Sequence, residues 1–248
     1  MKAEPPEGRS AGRRVLDKFV IRGGKPLLGT IRVSCAKNSA LPCMSAAILT
    51  EDEVMLESIP QVRDIETERK LLVSTVPKWS SAKAGHSTGL PSAAACSPIQ
   101  PRNTKSSRLC ALPGSFSDPS SRAAACAIGD RSIGLHLKGL ELMGATIAQE
   151  HGYLEARADR LKGSHIVFDN ITVTGTEDLL MAAVLAEGET LMENCEGEPE
   201  VSDLAALLIA MGAKIEGAGT ATIRLQGVNK LHGARHRINP DRIEAGLS

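Results

Sequence analysis

Aromatic residues are scarce in this chain of 248 residues, in which they make up only 2% of the sequence. A core must therefore be filled by aliphatic side chains, which account for most of the 42% hydrophobic content. Neither positive nor negative charge is in excess, because 29 basic residues balance 29 acidic ones. This balance argues against a general nucleic-acid-binding protein, which would carry a basic surplus.

Long apolar runs are also absent. No run approaches the roughly 20 residues of a membrane-spanning helix, and the charged N-terminus has no following apolar segment, as a signal peptide would. The cysteines form no CxxC pair, so neither a disulfide framework nor a zinc site is indicated. His232 and His236 are four residues apart without a third ligand, and Pro240 argues against a long helix there. We expect reduced thiols and a cytoplasmic protein without metal, cofactor, membrane or nucleic-acid partner.

The chain does contain an internal repeat. The run 46–57 returns in weaker form at 182–193, and ELMGATI at 141–147 returns as IAMGAKI at 209–215. Such a repeat indicates one supersecondary unit used several times. Hydrophobic periodicity predicts short helices that alternate with short strands, so the fold class is α/β or α+β.

The same periodicity places the elements. Helices are predicted around 41–48, 64–72, 140–143, 179–184 and from a cap at Ser202 or Asp203 to Gly212, and strands at 18–21, 30–34, 54–57, 165–168, 191–193 and 222–225. Residues 1–16 are expected to form a disordered tail. The segment 73–125 is rich in Ser, Ala and Pro with a single acid, and its composition predicts a disordered linker.

Longer runs are specific enough to suggest a family. GTIRVSCAKNSALPCMSAAIL, CAIGDRSIGLHLKGLELMGATI, LKGSHIVFDNITV, PEVSDLAALLIAMGAKIEG and INPDRIEAG resemble, in the same order, the family of UDP-N-acetylglucosamine 1-carboxyvinyltransferases. The resemblance covers 17–72 and 126–246. It implies an inside-out α/β barrel built from βαβαββ units, with the active site in a cleft between two such domains. The chain would supply about the first half: 37–237 as the first domain, with 17–36 and 238–248 belonging to the second.

The activity that the resemblance implies is the first committed step of peptidoglycan synthesis, and with it cell wall biogenesis, cell shape, cell cycle and cell division. The enolpyruvyl group of phosphoenolpyruvate moves to the 3-hydroxyl of UDP-N-acetylglucosamine, and phosphate is released. Two alternatives stay open. One is the sister enzyme that uses shikimate 3-phosphate, although it does not rely on a cysteine such as that in CAIG. The other is a non-catalytic remnant.

Lys37 and Asn38 are the first candidate site residues. A cation and an amide at the start of a helix suit a phosphate or carboxylate, although a solvated loop pair is the plainer interpretation. The resemblance implies that this AKN element contacts phosphoenolpyruvate. Cys35 stands where the family usually has Gly. A cysteine there would strain the loop if the position required a positive φ.

Cys126 is the candidate catalytic residue. Taken alone, a single cysteine is most often a small buried hydrophobe. The resemblance implies that it is the general acid for the methylene carbon and can form an adduct with phosphoenolpyruvate, with Arg131 binding phosphate and favouring thiolate. Ala124 and Ala125 replace the Gly-Gly that usually precedes this cysteine.

Two further segments are implied to contact the nucleotide. The first comprises Arg131, Ser132, Ile133, Gly134, Leu135 and His136, in which Ser132 and Gly134 replace the usual Pro and Asp. The second comprises Asn170, Ile171, Thr172 and Val173, where the Thr172 hydroxyl could reach a diphosphate. The plainer interpretations are a polar histidine between strand and helix, and an ordinary edge turn.

The composition of the segment 73–125 departs from that of the family, although its number of residues is nearly the same. The repeat requires a helix end like MGAKI after Leu72, and the chain instead continues VSTVPKW. We interpret this segment as the product of two compensating frameshifts.

Overall fold

A computed structural model describes Gly24 and residues 28–75, 79–81, 94–96, 107–108, 134–150 and 153–247. The chain divides into two compact units, 1–32 and 33–248. The described residues of the first unit form no helix or strand, so every element named below belongs to the second. Across the described ranges, no helix has the length and apolarity that a bilayer crossing requires.

Six helices and eleven strands are assigned in the described ranges. The helices are α1 (Lys37–Ala46), α2 (Arg63–Thr75), α3 (Gly134–Leu142), α4 (Val173–Ala183), α5 (Pro199–Ala210) and α6 (Arg242–Leu247). The strands are β1 (Val54–Glu57), β2 (Trp79–Ser81), β3 (Ala94–Cys96), β4 (Ser107–Arg108), β5 (Thr146–Glu150), β6 (Tyr153–Ala158), β7 (His165–Val167), β8 (Glu189–Glu193), β9 (Lys214–Glu216), β10 (Thr222–Gln226) and β11 (Arg235–Arg237).

Residues 165–226 form one complete βαβαββ unit. Its elements run β7, α4, β8, α5, β9, β10, and its sheet has the order β7-β8-β10-β9. The first two strands are parallel, as a crossover through α4 requires. The last three are antiparallel, with Leu191 opposite Arg224 and Leu225 opposite Ile215.

The second four-stranded sheet repeats this order, but its strands come from the two ends of the compact unit 33–248. It runs β11-β1-β3-β2, so β11 occupies the place that β7 has in the other sheet and pairs in parallel with β1. The three-stranded sheet β4-β6-β5 repeats the antiparallel part once more. Three copies of one unit therefore build this fold, as the internal repeat predicted.

Backbone conformation follows the repeat as well. Ser58 and Asn194 occupy equivalent positions after β1 and β8, and both have a left-handed φ, of 65° and 58°. They are the non-glycine residues with positive φ in the described ranges, so Cys35 does not carry the strain considered above. The predicted glycine ends of α3 and α5 are confirmed by Gly144 and Gly212, whose φ values are 91° and 99°.

The core lies between the helices and the inner faces of the sheets. Helix α4 is buried along its whole length from Gly175 to Ala183, and α1 and α5 pack against it and against each other. A helix that is buried on every side belongs in the centre of a fold. Strands β8 and β10 have one buried and one more exposed face, so the sheets form the outer layer. Each buried Leu or Met of these helices contributes about 1.5–3 kcal/mol.

Three sequence predictions differ from the structure. The strand predicted at 30–34 is absent, and Cys35 instead forms an isolated bridge with Pro240. Helix α5 begins at Pro199 with Glu198 as N-cap, not at Ser202 or Asp203, because proline at the first helical position already has the helical φ. Within 73–125, the structure continues α2 to Thr75 and assigns β2, β3 and β4, where an unstructured linker was expected.

Candidate functional site

The first candidate pair lies at the start of α1. Lys37 is the first residue of the helix, Asn38 is exposed, and the N-cap Ala36 offers no side-chain oxygen to the free N–H groups. The Lys37 Nζ atom forms an ion pair with Asp64 Oδ2 at 2.7 Å. Both side chains are partly exposed, at 32% and 41%. A ligand from solvent can therefore reach this cation.

Helix electrostatics explain the pairing of Lys37 with Asp64. A cation is unfavourable at a helix N-terminus, because the helix dipole places positive charge there. Asp64, in the first turn of α2, supplies a compensating negative charge. The free backbone N–H groups and Lys37 together form the kind of place that binds an anion.

The second candidate segment leads into α4. Asn170 and Ile171 are exposed, and Thr172 is the N-cap of the helix, where its Oγ1 accepts a hydrogen bond from the Gly175 N–H at 3.2 Å. This cap leaves the Thr172 hydroxyl proton available to an acceptor such as a diphosphate oxygen. Val173 is the first helical residue. The predicted nucleotide turn is therefore a capped helix start.

The third candidate segment is the first turn of α3. Gly134 is exposed and Leu135 half-buried, whereas the His136 imidazole is buried with 4% of its surface exposed. Its Nε2 atom lies 3.4 Å from Asp178 Oδ2 on α4. The side chain predicted to contact the nucleotide thus points at the neighbouring helix. Cys126, together with Arg131, Ser132 and Ile133, lies outside the described residues.

Buried acids next to these segments were not identified from the sequence. Glu177 is 5% exposed, and burial, assisted by the negative charges of Asp178, Glu200 and Glu198, raises the pKa of its carboxyl to about 9. It therefore holds its proton at neutral pH. The signal was present, because two adjacent acids in an otherwise apolar helix must either pair or stay protonated.

Acids at the start of α5 bind the C-terminal segment. Arg242 Nε lies 3.1 Å from Glu200 Oε1, and its η2 nitrogen lies 2.7 Å from Glu198 Oε2. The hydrogen bond that Arg242 donates to Glu200, together with the negative charge of Glu200, raises the pKa of the Arg242 guanidinium above its ordinary value. The helix dipole also favours acids at this end of α5. These contacts fix the segment that follows β11.

One group of potential metal ligands lies close together among the described residues. The ligand atoms of Cys43, Asp203 and His236 lie within 4.8 Å of one another. His236 is in β11, not in a helix, and its Nε2 is 2.9 Å from Asp203 Oδ1, while the other carboxylate oxygen accepts from the Asn239 N–H. Burial and the charge of Asp203 raise the pKa of the Cys43 thiol, so it stays protonated. This arrangement is that of a structural link between α1, α5 and β11.

Comparison with known proteins gives a family match over most of the chain. Residues 21–247 match the family described as EPSP synthase (3-phosphoshikimate 1-carboxyvinyltransferase). Two similar proteins are UDP-N-acetylglucosamine 1-carboxyvinyltransferases from Acidobacterium capsulatum, 64% identical, and Koribacter versatilis, 58% identical. Each alignment covers 93% of this chain and 55% of the relative. The chain thus spans about half the length of these relatives.

Solved structures show the same fold. The enolpyruvyl transferase NikO from Streptomyces tendae superposes with a TM-score of 0.67 at 18% identity, covering 90% of this chain and 54% of the other. EPSP synthase from Acinetobacter baumannii gives a TM-score of 0.58 at 19% identity, covering 85% and 49%. The chain belongs to the EPSP synthase family and has the α/β fold of enolpyruvyl transferases.

Proposed function

We propose that this chain forms one half of an enzyme that transfers the enolpyruvyl group of phosphoenolpyruvate to the 3-hydroxyl of UDP-N-acetylglucosamine. The observation that carries the proposal is the start of α1, where Lys37 and Asn38 stand beside uncapped N–H groups and face solvent. The 64% identity to a protein named for this reaction supports the choice of nucleotide sugar. The enzyme would act in the cytoplasm, in peptidoglycan synthesis and hence in cell wall biogenesis and division.

The chemistry is an addition followed by an elimination. The sugar hydroxyl oxygen attacks C2 of phosphoenolpyruvate and loses its proton to a base, while the methylene carbon gains a proton. The resulting tetrahedral intermediate loses a methyl proton and phosphate, which restores the carbon–carbon double bond. The reaction needs a proton donor, a base and cations for the phosphate.

The residues of this chain would provide part of that set. Cys126 donates the proton to the methylene carbon, and Lys37 and Arg131 bind the phosphate. Asn38 binds phosphoenolpyruvate through its amide. The residues from Arg131 to Leu135 and from Asn170 to Val173 form the nucleotide side of the cleft, and His136 lies behind the first of these segments. The base and further cations come from the second domain, of which 17–36 and 238–248 would be the parts within this chain.

Lys37 has a defined role in this scheme. In the ligand-free structure its charge is balanced by Asp64 at 2.7 Å. An arriving phosphate brings a larger negative charge to the same ammonium, and a charge-assisted hydrogen bond to phosphate is stronger than a neutral one. The phosphate would therefore replace Asp64 as the partner of the Lys37 ammonium.

The test is an assay of a completed enzyme. Residues 73–125 are replaced by the corresponding residues of the Acidobacterium capsulatum relative, and the chain is joined after residue 247 to the remaining part of that relative. Phosphate release from phosphoenolpyruvate is then measured with UDP-N-acetylglucosamine or shikimate 3-phosphate. We expect turnover with the nucleotide sugar. Replacement of Cys126 by Ala should abolish turnover, and replacement of Lys37 by Ala should weaken phosphoenolpyruvate binding.

Matched controls make the assay decisive. Cys195→Ala removes a buried thiol outside the proposed site and should leave turnover unchanged. Turnover with shikimate 3-phosphate alone would instead favour the sister activity. If a folded fusion releases no phosphate when either acceptor is present, the non-catalytic remnant is the correct interpretation.

A further inference from the structure

Three contacts join α3 to the segment that begins α4. At the surface, Lys138 Nζ lies 2.6 Å from Asp169 Oδ2. Between the helices, a Cβ atom added to Gly139 would lie 2.2 Å from Leu179 Cδ1, so the two elements are in close contact. In the interior, His136 faces Asp178 at 3.4 Å. Helix α3 is therefore held against α4 and the segment before it from the surface inward.

Of the three contacts, the one between His136 and Asp178 has the largest desolvation cost. Their side chains are 5% and 6% exposed, so both polar groups have left water to meet each other. Such a pair seldom stabilises more than apolar side chains of the same size would, and its best-supported use is to fix a specific arrangement. The arrangement fixed here is that of α3 against α4.

Both elements carry predicted nucleotide contacts at their starts. His136 is in the first turn of α3, directly after Gly134 and Leu135. Asp178 is in the second turn of α4, six residues after the Thr172 cap, which accepts a hydrogen bond from the Gly175 N–H at 3.2 Å. A shift of α3 relative to α4 would change the spacing between these two starts.

We propose that His136 and Asp178 are positioning residues that hold the two nucleotide-binding segments at the spacing one UDP-sugar requires. His136 acts through the protein and not by touching the ligand, because its imidazole is buried against α4. This inference rests on the proposed function for the identity of the ligand. The positioning itself is a property of the ligand-free chain and can be measured separately.

The first measurement is amide hydrogen exchange of the ligand-free chain. His136→Phe keeps a ring in the cavity but removes both nitrogens. We expect faster exchange at the Gly175 and Thr176 amides, which are bonded to Thr172. His165→Phe is the matched control, because His165 also pairs with an acid, Glu193 at 2.6 Å, but on an exposed strand surface. It should leave these amides unchanged.

The second measurement is UDP-N-acetylglucosamine affinity by titration calorimetry, well below the unfolding temperature. His136→Phe and Asp178→Leu should each weaken binding by about ten-fold, the factor that loss of one charge-assisted hydrogen bond to the ligand produces. The double variant should be no weaker than the weaker single variant, because both remove one interaction. A purely structural role would lower the melting temperature and leave the affinity of the folded protein unchanged.

The outcomes separate the inference from the proposed function. If the wild-type chain and the completed enzyme do not bind the nucleotide sugar, the proposed function fails, and the exchange data alone decide on positioning. Unchanged exchange at Gly175 and Thr176 in a folded His136→Phe variant overturns the inference. So does unchanged affinity where the wild type binds, and so does an equal loss of affinity in His165→Phe.

Discussion

Replacing Glu177 by Gln should make the protein more stable at neutral and alkaline pH. The carboxyl is 5% exposed, and burial together with neighbouring acids raises its pKa from an ordinary value of 4.5 to about 9. At pH 7 the unfolded chain loses this proton and the folded chain keeps it. At about 1.4 kcal/mol per pH unit, counted from 4.5 to 7, that difference makes the free energy of unfolding at pH 7 about 3 kcal/mol smaller than it would be if both states kept the proton.

The direction of the pH dependence follows from the raised pKa. The contribution of Glu177 to stability is greatest below pH 4.5, where both states hold the proton, and it declines as the pH rises toward 9. The amide of Glu177→Gln cannot ionise, so this decline should disappear. Its amide N–H groups can donate hydrogen bonds to nearby carboxylate oxygens.

Urea unfolding followed by circular dichroism at pH 5, 7 and 8.5 measures this effect. Relative to the wild type, Glu177→Gln should gain about 2–3 kcal/mol at pH 7 and much less at pH 5. Glu216→Gln is the control, because Glu216 is exposed in β9 and its replacement should not alter the slope. A wild-type difference between pH 5 and 8.5 that Glu177→Gln fully retains would refute the assignment of the buried proton.

Three other predictions concern packing, reactivity and the gene. Gly139→Ala should lower the free energy of unfolding by about 1–3 kcal/mol, because the added methyl group meets Leu179. The same substitution should cost less in a Leu179→Ala background, and an unchanged melting curve of Gly139→Ala would contradict this. In the completed enzyme, fosfomycin with UDP-N-acetylglucosamine should alkylate Cys126 and not the buried Cys43 or Cys195, as mass spectrometry will show; modification at either buried thiol would rule out the assignment. Translation of the other two reading frames across codons 73–125 should restore a helix end like MGAKI, and failure in both frames would disprove the frameshift.

Much of the fold could be predicted because the signals are local. The strand 54–57 was predicted with its observed bounds, and Gly144 and Gly212 end their helices as their sequence positions indicated. The repeat predicted that 46–57 and 182–193 would form equivalent elements. Each is followed by a residue with a left-handed backbone conformation, Ser58 and Asn194. Alternating and helical periodicities depend on neighbouring residues, so a single sequence suffices to detect them.

The partners of the site residues could not be predicted, because they are distant in the chain. The pairing of Lys37 with Asp64 and of His136 with Asp178 depends on how helices pack. The same holds for β11, whose three residues Arg235–Arg237 carry no hydrophobic alternation and gain their strand conformation from β1. Tertiary contacts determine such elements, and propensity alone does not.

The position of β11 has a consequence for the start of α1. Asn239, just after β11, accepts a hydrogen bond from the Ala36 N–H at its carbonyl oxygen, at 2.8 Å, and its own N–H donates one to Asp203 at 3.1 Å. Ala36 immediately precedes Lys37, so one residue links the candidate phosphate site to the Asp203–His236 pair. Removal of the Asp203 carboxylate would take away the acceptor of the Asn239 N–H and loosen that link. The backbone that enters α1 at Lys37 is therefore held by a residue that follows β11, and the sequence around Lys37 alone does not reveal it.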